Sequence, residues 1–262
     1  MNRFFRQMRK DLLKEKKRRK YLKYAIGEIL LVVIGILIAL QINNWNEERK
    51  LRKIEKTLLT NIQEDILLDT LDLDYNIKAH ERMLKQENLL LNLMLSKNTG
   101  IADSINYEDA LGYPLVSIIH KSSFHNMQNN FVGLVNNNNS LKKLISRHYD
   151  FFYNAIEMLE NKSESHDFYE KKLPYFRKYF NVIDEENVFK LNPDSDDYVQ
   201  GEYIRRTIIP TNIDNLMNDE SFKFELSEII LQRNIIIGLY RDIIAKVKII
   251  NTKIDNELTS TK

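Results

Sequence analysis

The chain has 262 residues, with 39 Lys and Arg against 37 Asp and Glu and a formal net charge of +2. It has no cysteine, which excludes disulfides, a cysteine nucleophile and a lipid-modified N-terminal cysteine, and its seven glycines and four prolines are too few to punctuate an all-β fold. The charge is uneven: residues 1–23 carry eleven basic residues against two acidic ones, while residues 45–262 are net acidic.

The N-terminal tail, residues 1–20, interleaves Phe4, Phe5, Met8, Leu12 and Leu13 with its basic residues at helical spacing. That pattern suits a helix lying in a membrane interface against anionic lipid, with a solvated disordered tail as the alternative. A basic tail beside an apolar stretch makes lipid a simpler partner than nucleic acid.

Residues 21–45, YLKYAIGEILLVVIGILIALQINNW, read as one transmembrane helix. Leu22 to Asn43 gives about 33 Å of helix, enough for a bilayer core of about 30 Å. Tyr21, Tyr24 and Trp45 mark the two interfaces, and the more basic N-terminal flank predicts that the N-terminus stays in the cytoplasm. The long basic region and the lack of an A-x-A-like site after the apolar run favour a signal-anchor over a cleaved signal peptide. The competing reading is a buried helix of a soluble protein. Within the span, Glu28 either couples to a partner or reaches the interface and pairs with Lys23. Gly35 and Ala39 form a small-xxx-small pair that allows two spans to approach, hence a possible homo-oligomer.

Residues 46–262 are expected to form one helical domain outside the membrane. Leu51, Ile54, Leu58, Ile62, Ile66, Leu73, Ile77, Leu84, Leu91 and Leu95 recur at about 3.7 residues per turn and predict a long helix continuing from the span. Its end is expected near Asn98–Gly100, with glycine as the C-terminal cap. Gly112-Tyr113-Pro114 marks a turn, Ser122 and Ser123 can cap a short helix through Asn130, and the asparagines 136–139 read as a loop. A second stripe runs from Leu141 to Leu159. A third helix spans Ser165 to Phe180, broken at Pro174. Residues 183–200 read as an acidic loop, and Tyr203–Ile209 as a short helix or strand.

The last helix, Ser221 to Leu258, carries Leu226, Ile230, Ile237, Tyr240, Ile244, Val247, Ile254 and Leu258 on one side, with Lys246 on the polar side. The fold expected is therefore all-α: an N-terminal transmembrane helix continuing into an elongated antiparallel helical bundle of coiled-coil character. The antiparallel arrangement places Ile54 and Leu58 near Ile254 and Leu258.

Known chemistry is not spelled out. His80-Glu81 lacks the second histidine of a zinc-protease helix, since Leu84 stands there. His120 and His125 could approach one another at a short helix, where solvated or capping roles compete with metal ligation. Asp194, Asp196 and Asp197 fail the calcium-loop spacing at Tyr198 and Arg205. No phosphate-binding glycine loop or serine-nucleophile elbow is present. We therefore expect no catalytic residues, no cofactor and no metal.

The stretch YAIGEILLVVIGILIALQINNWNEERK, Tyr24 to Lys50, resembles the N-terminal signature of domain-of-unknown-function family 6090, a bacterial family. A weaker likeness runs from Ser123-Phe124 to Tyr149, where Met127 replaces a usual Leu and Asn129, Asn130 and Phe131 replace a glycine-containing turn. The resemblance implies one span, a helical exterior part and a periplasmic location in a Gram-negative cell. It implies no catalytic residues. The expected function is a non-enzymatic interaction, scaffold or sensing module with an unknown protein partner. The alternative is an accessory subunit of an inner-membrane machine, coupled through its transmembrane helix.

Overall fold

The computed structural model describes residues 7, 18–112, 117–129, 139–162, 168–187 and 204–260. Expectations for the tail helix, the Gly112–Pro114 turn, the asparagine run, the start of the third helix and the Asp194–Asp197 loop fall wholly or partly outside these residues.

Helix α1, Arg18–Ser96, runs unbroken for 79 residues. The chain divides into two units, the first ending at Thr57 and the second beginning at Leu58. In the first, the apolar residues between Leu22 and Trp45 lie exposed all round the helix, Leu31 to 73%. The stretch is long and apolar enough to cross a membrane, and none of it is buried in the protein. A helix that exposes apolar side chains on every side is a poor solute in water.

Among its described residues the regular structure of the second unit is helical apart from one two-stranded sheet. After α1 come a 3-10 turn, Thr99–Ser104, then α2, Tyr107–Leu111, and α3, Ser122–Asn129. The next helical stretch comprises α4, Asn139–Arg147, a π-helical segment His148–Tyr153, α5, Asn154–Glu157, and a second π-helical segment, Met158–Lys162. Then follow α6, Phe168–Tyr179, the strands β1, Phe180–Asn187, and β2, Ile204–Pro210, the short α7, Ile213–Met217, and α8, Glu220–Ser260. Asparagine and aspartate side chains start the helices by accepting from backbone amides three residues on: Asn106 from Asp109, Asn212 from Asn215 and Asp219 from Phe222.

The two long helices run antiparallel in this unit. Gln63 donates to Asp255, Arg241 meets Glu81, Arg233 meets Glu87, and Lys97 donates to Asn218. Asp255 is met by Gln63 within this unit, and Ile54, expected beside Ile254, is an exposed residue of the first unit.

The buried seams also differ from the expected stripes. On α1 they are Leu59, Ile62, Ile66, Asp69, Leu73, Asn76, His80, Met83, Glu87, Leu90 and Met94, alternating steps of three and four. On α8, Phe222, Leu226, Ile229, Arg233, Ile236, Tyr240, Ile243, Val247, Ile250 and Ile254 follow the same alternation. The period is about 3.5 residues, not 3.7, which keeps one line of side chains inward over many turns. Consequently Leu51 and Leu95 are exposed, and Ile243 takes the fully buried place expected of its neighbour Ile244. The apolar residues alone gave the wrong period because polar ones occupy four seam positions on α1.

Three boundaries depart from expectation. The left-handed residue that ends α1 is Lys97, φ 53°, while Gly100 has no positive φ. Helix α6 continues through Pro174, because Phe168, Lys172 and Tyr179 are buried on both sides of it and packing outweighs the lost backbone bond. Residues 183–187, expected in a loop, extend β1, which pairs antiparallel with β2 from Phe180 opposite Pro210 to Asn187 opposite Ile204, with a bulge between Val182 and Asp184. Phe180 and Ile208 anchor this ribbon on a cluster with Leu90, Met94, Tyr107, Leu216 and Phe222.

Candidate functional site

The polar interior of the second unit is its distinctive feature, and it has two layers. The first centres on Glu87. Both of its carboxylate oxygens face Arg233: Nε donates to Oε2 and Nη2 to Oε1, each at 2.7 Å. Lys172 of α6 donates to Oε1 at 2.9 Å and to the Ala110 carbonyl at 2.9 Å. All three side chains are buried. The Arg233 guanidinium lies 4.7 Å from the centre of the Phe168 ring, and its Nη1 is 2.6 Å from Nδ1 of His80. Arginine only donates, so Nδ1 of His80 is the acceptor and the proton of a neutral ring sits on Nε2.

One carboxylate thus serves two cations in the core. Burial alone would raise the Glu87 carboxyl, but Lys172 and Arg233 outweigh it and hold it below its ordinary value. Burial pulls Lys172 down to about 8, with Glu87 opposing and Arg233 reinforcing the fall. A pair buried this deeply is expensive to desolvate, and its value lies in fixing which residues meet.

The second layer is built from carboxylates that hold the segment Ser117–Ser123 by its backbone. Glu160 accepts from the Ser117 amide at 2.9 Å and from its hydroxyl at 2.8 Å. Asp72 accepts from the Ile118 amide at 2.9 Å and from Asn76 at 2.9 Å. Asp69 accepts from the His120 amide at 2.9 Å, faces His120 Nδ1 at 2.6 Å and accepts from the Tyr153 hydroxyl at 2.5 Å. Asp65 accepts from the Ser123 amide at 3.2 Å and so caps α3. The spacing of Asp65, Asp69 and Asp72 along α1 places all three beneath one short segment.

The π-helical segments supply the opposite wall. Tyr153 and the buried His148 and Tyr149 come from the first, and Glu160, bonded to Tyr240 of α8, from the second. Tyr149 stacks on Phe124 at 4.3 Å, and His148 meets Tyr153 edge-on at 4.4 Å. Burial raises Asp69, against the hydrogen bonds of Tyr153 and His120, and likewise raises Glu160 against those of Tyr240 and Ser117. Burial also lowers His148 to about 4. Such π turns are rare and often mark functional places.

The residues singled out from the sequence are scattered. Glu28 lies exposed on the apolar helix, and a Cβ added at Gly35 would meet open space. His120 joins Asp69, whereas His125 is exposed. Among the described residues no cluster of three or more His, Asp or Glu fits a metal ion. His80 proves to be a seam residue, and His166 falls outside the described residues. Sequence reasoning missed Asp69, Glu87, Tyr153, Glu160, Lys172 and Arg233, while Tyr240 was placed on the inward stripe of the last helix. The signal that would have found the α1 members is the three-four alternation carried unbroken from Leu59 to Met94.

Residues 28–111 match a family described as a family of unknown function, DUF6090, which bears out the resemblance read from Tyr24 to Lys50. No curated protein and no solved structure matches the chain.

Proposed function

We propose that a chain with this family signature is a membrane-anchored, non-enzymatic helical module that engages a protein partner as a scaffold or sensor. In this reading residues 21–45 cross the inner membrane, the basic tail lies against anionic lipid on the cytoplasmic side and the second unit is periplasmic. The observation that carries it is the inward use of charge. Glu87, Lys172 and Arg233 spend their donors and acceptors on one another and on the backbone, as shape-holding groups do. Outward, α8 presents Phe224, Leu231, Ile235 and Ile249, large apolar side chains suited to contact.

Photocrosslinkers placed at Leu231 and Ile235 in the full chain, in cells, test the reading. A discrete protein adduct is expected from these sites and not from Lys246. Turnover of a substrate by the purified full chain, abolished by one point substitution without loss of fold, would overturn it. A second reading, coupling to a membrane machine, is favoured by the acidic Glu28 on an otherwise apolar helix face. There, Glu28→Ala should abolish activity in cells while leaving the adduct intact.

A further inference from the structure

We propose that the turns just beyond the apolar helix form a second lipid-binding surface, on which Arg49, Arg52 and Lys53 hold the phosphates of anionic phospholipid on the side of the membrane where Trp45 lies. This surface presupposes the reading of residues 21–45 as a membrane span, and it faces the opposite leaflet from the basic N-terminal tail. Charge is the first observation. Asn46 to Thr57 holds Arg49, Lys50, Arg52, Lys53 and Lys56 against Glu47, Glu48 and Glu55. Lys50 is taken up by Glu47 at 2.9 Å. Arg49, Arg52 and Lys53 are exposed and make no ion pair among the described residues.

Placement on the helix is the second. Helix α1 runs through this stretch without a break. Trp45, Arg49 and Arg52 follow one another at steps of four and three, so they share one face, with Lys53 on its flank. At about 100° per residue, Glu47 falls on the far side, and Glu48 and Glu55 lie at the edge opposite Lys53. The face that carries the exposed tryptophan is therefore the cationic one.

Reach is the third. A tryptophan ring settles at headgroup level, and that layer is about 5–7 Å thick on each side of the hydrocarbon core. Arg49 stands about 6 Å beyond Trp45 along the axis, and Lys53 about 12 Å. Every Cα–Cβ bond of an α-helix leans toward its N-terminus, which on this side is toward the bilayer. Arg49 is thus level with the phosphates, and Arg52 and Lys53 reach back to them on long stems. A guanidinium fork meets phosphate through two parallel hydrogen bonds, and lysine adds a point charge. Phosphatidylcholine brings its own cation to the surface, whereas phosphatidylglycerol does not, so the second is the lipid favoured here.

Trp45 is the sole tryptophan of the chain, so its fluorescence reports on this place alone. The full chain is placed in nanodiscs of mixed phosphatidylcholine and phosphatidylglycerol, with brominated acyl chains, which quench on near contact, carried by one lipid or the other. Brominated phosphatidylcholine should quench Trp45, as a span requires. Brominated phosphatidylglycerol should quench it more, by an amount that corresponds to about fivefold enrichment around the ring, the effect of one basic residue beside an anionic surface. The excess should shrink as salt is raised and vanish in the Arg49→Gln, Arg52→Gln, Lys53→Gln triple variant, whose exposed positions leave the fold intact. No quenching by either lipid would remove the span and this surface together. Quenching without preference for phosphatidylglycerol overturns the surface and leaves the span standing. A preference that survives undiminished in the triple variant overturns it too.

Discussion

Two stretches of one helix invert each other. Between Leu22 and Trp45, α1 turns apolar side chains outward on every face. Between Leu59 and Met94 it turns Asp69, Asn76, His80 and Glu87 inward. The first arrangement is stable where the surroundings are apolar, the second where every buried polar group finds a partner. Hydropathy thus describes the first stretch well and misleads in the second, because there a partner's chemistry and not the residue's own polarity decides what is buried.

The largest expected effect comes from breaking the second arrangement. Glu87→Ala leaves Arg233 and Lys172 buried without their anion and should cost about 3–5 kcal/mol, read from denaturant melts of the full chain. Replacing Glu87, Lys172 and Arg233 together by Leu, Met and Met should recover most of that loss. If the single and triple variants melt alike, the network is not what the buried carboxylate serves. Next comes the seam itself. Ile243→Ala should lose about 2–5 kcal/mol, and Ile244→Ala clearly less, because only the first side chain is fully buried. The reverse order would restore the face read from the sequence.

A comparable effect depends on pH. Unfolded, His148 binds a proton at about 6.5; folded, at about 4. Between these values the unfolded chain holds the extra proton, so stability is full above the upper value and is lost as pH falls through the lower one. The loss amounts to about 3 kcal/mol at most. Asp69 and Glu160, both raised by burial, bind protons better folded and pull the other way. The difference between wild type and His148→Phe isolates the histidine and should grow across this window; a constant difference refutes its buried neutral state.

Val33→Asp addresses the first stretch. It should cost about 2.5–3.5 kcal/mol of membrane insertion, seen as loss from the membrane fraction, while melts of the second unit stay put. A shifted melt would mean that the apolar helix packs on protein. At the bottom of the scale, Lys246→Ala, on the exposed face of α8, should change stability by about 0.5 kcal/mol or less.

What was legible divides along the same line. The membrane-length helix, the two long helices and their antiparallel sense could be read because apolar residues there are continuous or periodic. The seam could not, because Leu95 continues an apolar stripe that the bundle leaves exposed. The sheet was partly hidden: Tyr203 to Ile209 reads equally as a strand or a short helix until β1 supplies a partner for Ile204–Pro210. The polar layers were least legible. Lys172 and Arg233 meet Glu87 across 85 and 146 residues of chain, a separation that no local pattern records.

The two π-helical turns make chain length itself a structural variable. Each carries one residue more than an α-helix needs over the same rise. A chain shortened by a single residue between His148 and Tyr153 would be free to form a regular helix there. Ile156 and Glu160 would then keep about their present places, whereas a residue lost from α5, which carries no surplus, would swing Glu160 by about 100°. Tyr153 on Asp69 and Glu160 on Ser117 are held together by a count of residues rather than by their kind. A one-codon deletion should therefore do less damage between His148 and Tyr153 than within Asn154–Glu157.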